Sequence, residues 1–75
     1  MDSLPGMKTM KYTVGDLIDE NNAGLGYIAN IKKCNINRNI ICIVWFSDYA
    51  EYAYSDLYVD NWIANKTARH YSSET

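Results

Sequence analysis

Ile40-Ile41-Cys42-Ile43-Val44-Trp45-Phe46 decides the fold. The run is unbroken, apolar and rich in β-branched side chains, so it reads as a strand. A strand with one face in water would alternate apolar with polar residues. This one does not, so both its faces need cover. Alternation puts Ile41, Ile43 and Trp45 on one face and Ile40, Cys42, Val44 and Phe46 on the other. One set fills the interior. Fully burying each large side chain of the other is worth roughly 1.5–3 kcal/mol, and an apolar patch left in water marks an interaction site. Two covers are open: the segment around Trp62-Ile63, or a partner surface, a second copy of the chain included.

Working outward from that strand, Ser47-Asp48-Tyr49-Ala50 reads as a tight turn and Glu51-Tyr52-Ala53-Tyr54 as a returning strand. Ser55-Asp56-Leu57 reads as a 3₁₀ turn capped by Ser55. Tyr58-Val59-Asp60-Asn61-Trp62-Ile63 reads as the last strand, and residues 64–75 as a polar tail able to form a short helix over 64–71. Upstream, Lys33 to Asn39 is a polar, Asn-rich turn. Leu25 to Ile31 is a strand by content, although Ile28 and Ile31 are three apart, which a bulge near Ala29-Asn30 would reconcile with one face. Asp19 to Gly24 is a loop, Leu17-Ile18 the first strand, Val14 its approach, and residues 1–11 a flexible arm. Five short strands over residues 12–63 make an all-β, antiparallel small barrel with flexible termini.

Composition narrows the function. Seventy-five residues hold one domain at most, and a core of this size rarely supplies more than roughly 3–5 kcal/mol. The net charge is −2, and the seven Lys and Arg form no stripe, so binding to a nucleic-acid backbone is not expected. No apolar run nears the roughly 20 residues that span a bilayer. The first residues lack a basic head and an apolar stretch. The expected site of action is therefore the cytoplasm, with no membrane. Cys34 and Cys42 have no companion ligands for a metal and read as reduced, partly buried thiols. No cofactor is expected. The abundance of Asn, Ile, Tyr and Lys points to an AT-rich genome, such as that of many bacteriophages.

The segment Cys42 to Ala50, followed by Ser55-Asp56-Leu57, resembles the second half of a Tudor domain. Val14-Gly15-Asp16-Leu17 with Gly24, Gly26, Ile28 and Ile31 resembles the opening of SH3-like barrels. The resemblance spans about residues 12–63 and implies a five-stranded SH3-like (Tudor-like) barrel. In Tudor domains an aromatic cage holds methylated Lys or Arg by cation–π attraction. Phe46 and Tyr49 match the two cage aromatics of the second hairpin. Leu17 and Gly24 stand near where the first-hairpin aromatics would lie, and Ala50 stands for the usual Gly. Small phage-encoded barrels are also similar, with a Trp-Phe-Ser-Asp segment before a Tyr-rich strand.

Aromatic residues carry the functional signal. Trp45, Phe46, Tyr49, Tyr52, Tyr54 and Tyr58 crowd one stretch. Trp and Tyr anchor binding hot spots, and they also fill small β-cores. One of Trp45 and Phe46, and one of Tyr52 and Tyr54, are expected in the core. The candidate partner surface is Trp45, Phe46, Asp48, Tyr49, Tyr52 and Tyr54. Asp16, Asp48 and Asp56 fall at strand ends and turns, where such side chains bond to backbone. His70 has no nucleophile beside it in any motif. The expectation is a non-catalytic, phage-encoded protein-binding module: a virion or assembly component, or a modulator of a host protein. A nucleic-acid-associated barrel that stacks bases on its aromatics is the alternative.

Overall fold

In the computed structural model, which describes residues 11–36 and 38–72, the apolar run forms the spine of a sheet. The elements are β1 (Leu17–Glu20), β2 (Gly24–Asn35), β3 (Arg38–Trp45), β4 (Glu51–Ser55), α1 (Asp56–Ala64) and β5 (Ala68–Tyr71). Five antiparallel strands lie in the order β4-β3-β2-β1-β5. The sheet is not closed: β4 and β5 are its edges. The arm expected over residues 1–11 lies, apart from Lys11, outside the described residues. Among the described residues no helix is long and apolar enough to cross a membrane.

The long strand β2 carries the expected bulge. Ile28 pairs with Ile43 and Asn30 with Cys42, so Ala29 is the extra residue. The bulge returns Ile31 to the face of Ile28, opposite Ile41. Ile28 is fully buried and Ile31 packs against the core. That core is Tyr12, Ile18, Ile28, Ile41, Ile43, Trp45, Val59 and Ala68. Of the two faces of β3, the Ile41-Ile43-Trp45 face is therefore the inner one.

The C-terminal third departs from the sequence reading. Residues 58–63 are not a strand: they lie in α1, and the last strand is Ala68–Tyr71, inside the segment read as a tail. The spacing of Val59, Trp62 and Ile63 explains this. Three and four residues apart, they form a helical stripe. Val59 is buried, and Trp62 and Ile63 pack against the core. Ser55, with extended backbone, precedes the helix and Asp56 occupies its first turn. After the helix, Lys66 takes a left-handed conformation (φ 64°). The Lys66 and Thr67 amides donate to the Ile63 and Trp62 carbonyls at 3.1 and 2.8 Å. This closes the helix end and turns the chain to pair β5 with β1, Ile18 opposite His70.

The outer face of β3 is sealed by the chain itself at its centre. Cys42 and Val44 are buried, whereas Ile40 is half-buried and Phe46, beyond the strand, is exposed. Residues directly opposite one another share a face. Val44 thus lies between Tyr27 and Glu51, Cys42 between Asn30 and Ala53, and Ile40 between Lys32 and Ser55. Cys42 and Val44 are thus buried without a partner, and the expected cover by Trp62-Ile63 is corrected: these two pack on the inner side.

Candidate functional site

The structure divides the sequence-predicted aromatic surface in two. Trp45 and Phe46 are neighbours in the chain and point to opposite faces. Trp45 is buried, so it supports the site from beneath and offers no contact surface. Its ring passes over Gly26, directly opposite on β2. A Cβ at Gly26 would stand 2.7 Å from the Trp45 ring and 2.7 Å from the Val44 carbonyl oxygen. The Trp45 indole N–H donates to the Tyr54 hydroxyl at 3.0 Å.

From Trp45 an aromatic strip runs outward over β4 and α1. Tyr54 meets Trp62 edge-on at 4.9 Å between centroids. Tyr58 lies 5.9 Å from Trp62, one helical turn away. Tyr54 stacks with Tyr58 at 6.3 Å on one side and with Tyr52 at 6.4 Å on the other. Tyr54 and Trp62 are half-buried, whereas Tyr52 and Tyr58 are 45% and 57% exposed. The strip is anchored in the core at one end and open to solvent at Tyr52 and Tyr58. Tyr58 and Trp62 were not among the predicted site residues. Their spacing of four was the available signal, hidden once the segment was read as a strand.

Phe46 and Tyr49 belong to a second group at the β3–β4 hairpin. Their centroids are 6.3 Å apart, nearly edge-on, and Tyr27 of β2 joins Phe46 at 5.6 Å. Tyr27 is thus the third aromatic of this group, which the sequence reading missed. Asp48 links the turn to the strip. One carboxylate oxygen accepts the Ala50 amide at 3.0 Å and the other accepts the Tyr52 hydroxyl at 3.0 Å. That carboxylate holds the Tyr52 hydroxyl proton and pushes the phenol upward in pKa. Tyr49 takes φ 55°, and its amide donates to the Trp45 carbonyl at 2.7 Å. Asp48 is therefore a turn-former that also fixes Tyr52.

A polar cluster lies on the other side of α1. Asp16 is buried, and one of its oxygens takes the Thr13 amide at 3.0 Å and His70 Nε2 at 2.6 Å. The His70 ring sits edge-on to Tyr12 at 5.0 Å. The Tyr12 hydroxyl donates to Asp60 at 2.5 Å, and Lys11 reaches the same oxygen at 3.2 Å. Burial, and then the Asp60 carboxylate, hold the Tyr12 phenol well above its usual range. Lys11, Tyr12, Asp60, Ile63, Ala64 and His70 line a cleft of about 450 Å³. Its polar groups are largely engaged with one another, joining the approach to β1, α1 and β5. These contacts span 48 and 54 residues of chain, and no local spacing announces them. His70 is therefore a strand residue paired with a buried carboxylate, not a residue of a tail.

Cys34 and Cys42 are both free thiols. Cys42 is buried, which pushes its thiol pKa up. Cys34 is exposed, where a partly buried residue was expected. No protein-family model, curated protein or solved structure matches the chain.

Proposed function

We propose that this chain is a non-catalytic protein-binding module of SH3-like, Tudor-like barrel type, and that its contact surface is the strip Tyr52, Tyr54, Tyr58 and Trp62. One observation carries the reading: four stacked or edge-packed aromatic rings run unbroken from a buried Trp45 to solvent. Rigid, amphipathic rings fixed from below lose little side-chain entropy on binding, which is what hot-spot residues need. The barrel reading is supported by five antiparallel strands in one sheet and by the bulge at Ala29, a device with which small barrels turn their corners. The similarity to small phage-encoded barrels favours a role in a virion, in assembly, or on a host protein. Phe46, Asp48 and Tyr49 form the rival surface at the hairpin.

Affinity capture with the full chain tests this. The partner recovered by the wild-type chain is expected with Tyr71→Ala, which alters an exposed tyrosine on β5, and with Tyr49→Ala. It is expected to be lost with Tyr52→Ala/Tyr58→Ala. Retention by that double variant together with loss in Tyr49→Ala would move the site to the hairpin.

A further inference from the structure

Beside the strip lies an open strand edge. The Trp45 amide donates across to Ala50 at 3.4 Å, and the next amide, Phe46, donates the other way to Leu25 at 2.9 Å. Alternation along β3 then sends the amides of Ile43 and Ile41 toward β4, opposite Tyr52 and Tyr54. Tyr52 and Tyr54 therefore spend their backbone groups on β3. Glu51, Ala53 and Ser55 turn theirs away from it, toward the side of β4 where no described strand lies. The Ser55 carbonyl opens α1, which leaves for the edge its amide, both groups of Ala53 and the carbonyl of Glu51.

The two edges of the sheet differ in protection. Natural edges are guarded by Lys, Pro, bulges or short length. The edge β5 is four residues long and carries Arg69 and His70. The edge β4, Glu51-Tyr52-Ala53-Tyr54-Ser55, has no Lys, Arg or Pro and pairs with β3 without a register break. It is also self-complementary. Set antiparallel to itself about Ala53, it places Ala53 against Ala53, Tyr52 against Tyr54, and Glu51 against Ser55. No like charges meet, the smallest side chain sits on the axis, and the tyrosine stack continues from one copy into the next.

We propose that β4 is the edge through which two copies of this chain join, antiparallel, about a two-fold axis at Ala53. The inference rests on the reading of the strip as a binding surface and names a second copy as the occupant of its β4 end. The Ala53 amide would then donate to the Ala53 carbonyl of the other copy. The pairing uses the main chain of β4, so the rings of the strip, Tyr52 included, remain available to a different partner.

Sedimentation of the full chain from micromolar to millimolar concentration, combined with amide hydrogen exchange, tests this. A concentration-dependent dimer is expected. Ala53 and Ser55 amides should exchange about fivefold more slowly once the total chain concentration is about tenfold above the dissociation constant, where about a fifth of the chain is still monomer, whereas Tyr52 and Tyr54 amides stay protected throughout. Ala53→Pro, which removes the central donor, should sediment as a monomer with its near-ultraviolet circular dichroism retained. If that variant does not fold, the exchange pattern of the wild-type chain decides alone. A monomer at every concentration overturns the inference, and so does a dimer in which Ala53 exchange is unchanged. Protection of Ala53 only on adding the captured partner assigns the edge to a foreign strand; it overturns the second copy while sustaining the binding-module reading.

Discussion

Gly26→Ala puts the smallest side chain where the fold leaves no room for one. The new Cβ would stand 2.7 Å from the Trp45 ring, 2.7 Å from the Val44 carbonyl oxygen and 3.1 Å from an Ile43 methyl. Rotation of Trp45 could relieve the first contact, but its indole is tied to Tyr54 and packed on Trp62. The second is with backbone, so only parting β2 from β3 relieves it. Overpacking of this kind costs about 1–3 kcal/mol, and the backbone clash favours the upper end. Removing a glycine from a strand returns about 0.5–1 kcal/mol through the unfolded chain. The net expectation is a loss of about 2 kcal/mol, close to half of the roughly 3–5 kcal/mol a core this small supplies. For a domain of this length that is a Tm lower by about 10 °C. Urea unfolding followed by tryptophan fluorescence reads the same quantity. A variant as stable as the wild type, with its tryptophan spectrum unchanged, would refute the placement of Trp45 over Gly26.

Alkylation of the folded chain near neutral pH should modify Cys34 quickly and leave Cys42 untouched until denaturant is added, because burial both hides that thiol and keeps it protonated; mass spectrometry counts the adducts. Cys42 and Tyr12 both bind their protons more tightly in the fold than in the unfolded chain, whose values are 9.0 and 10.0. Their contribution is therefore complete below pH 9.0 and declines as pH rises beyond it, so the urea midpoint should fall through alkaline pH, less steeply in Tyr12→Phe. Asp16→Ala leaves His70 and the Thr13 amide without their buried acceptor and should cost about 3 kcal/mol, leaving much of the chain unfolded at 37 °C by circular dichroism.

The central strands are legible in the sequence because their pattern is local. The apolar run at Ile40–Phe46 has one reading as a strand, and the three-residue offset between Ile28 and Ile31 calls for a bulge once Gly24, Gly26 and the β-branched content set a helix aside. The helix escapes a reading by residue type because Tyr58, Val59, Trp62 and Ile63 suit a strand by type, while their spacing suits a helix. Packing of Val59 into the core decides for spacing. The helix displaces the last strand to Ala68–Tyr71, and with it comes the pairing of β5 with β1. Within the candidate site, Tyr54 is a neighbour of Trp45 and Tyr52 stacks on Tyr54, as their place in the hairpin implies. Phe46 adjoins Trp45 in sequence, which on a strand is the reason it faces the other way. Tyr27, Tyr58 and Trp62 come from other elements and become neighbours only when the sheet and helix assemble. The Asp16–His70 and Tyr12–Asp60 pairs join residues from opposite ends of the chain for the same reason.

The most direct test of the binding surface is fluorine NMR on chain labelled with fluorotyrosine, recorded with and without the captured partner. Each of the seven tyrosines is assigned by single substitution to phenylalanine. On binding, the resonances of Tyr52 and Tyr58 should shift or broaden first, with Tyr54 following through its stacks, while Tyr12, Tyr27, Tyr49 and Tyr71 hold their positions. Response confined to Tyr27 and Tyr49, with Tyr52 and Tyr58 unmoved, would place the partner on the hairpin group beside Phe46 and contradict the account.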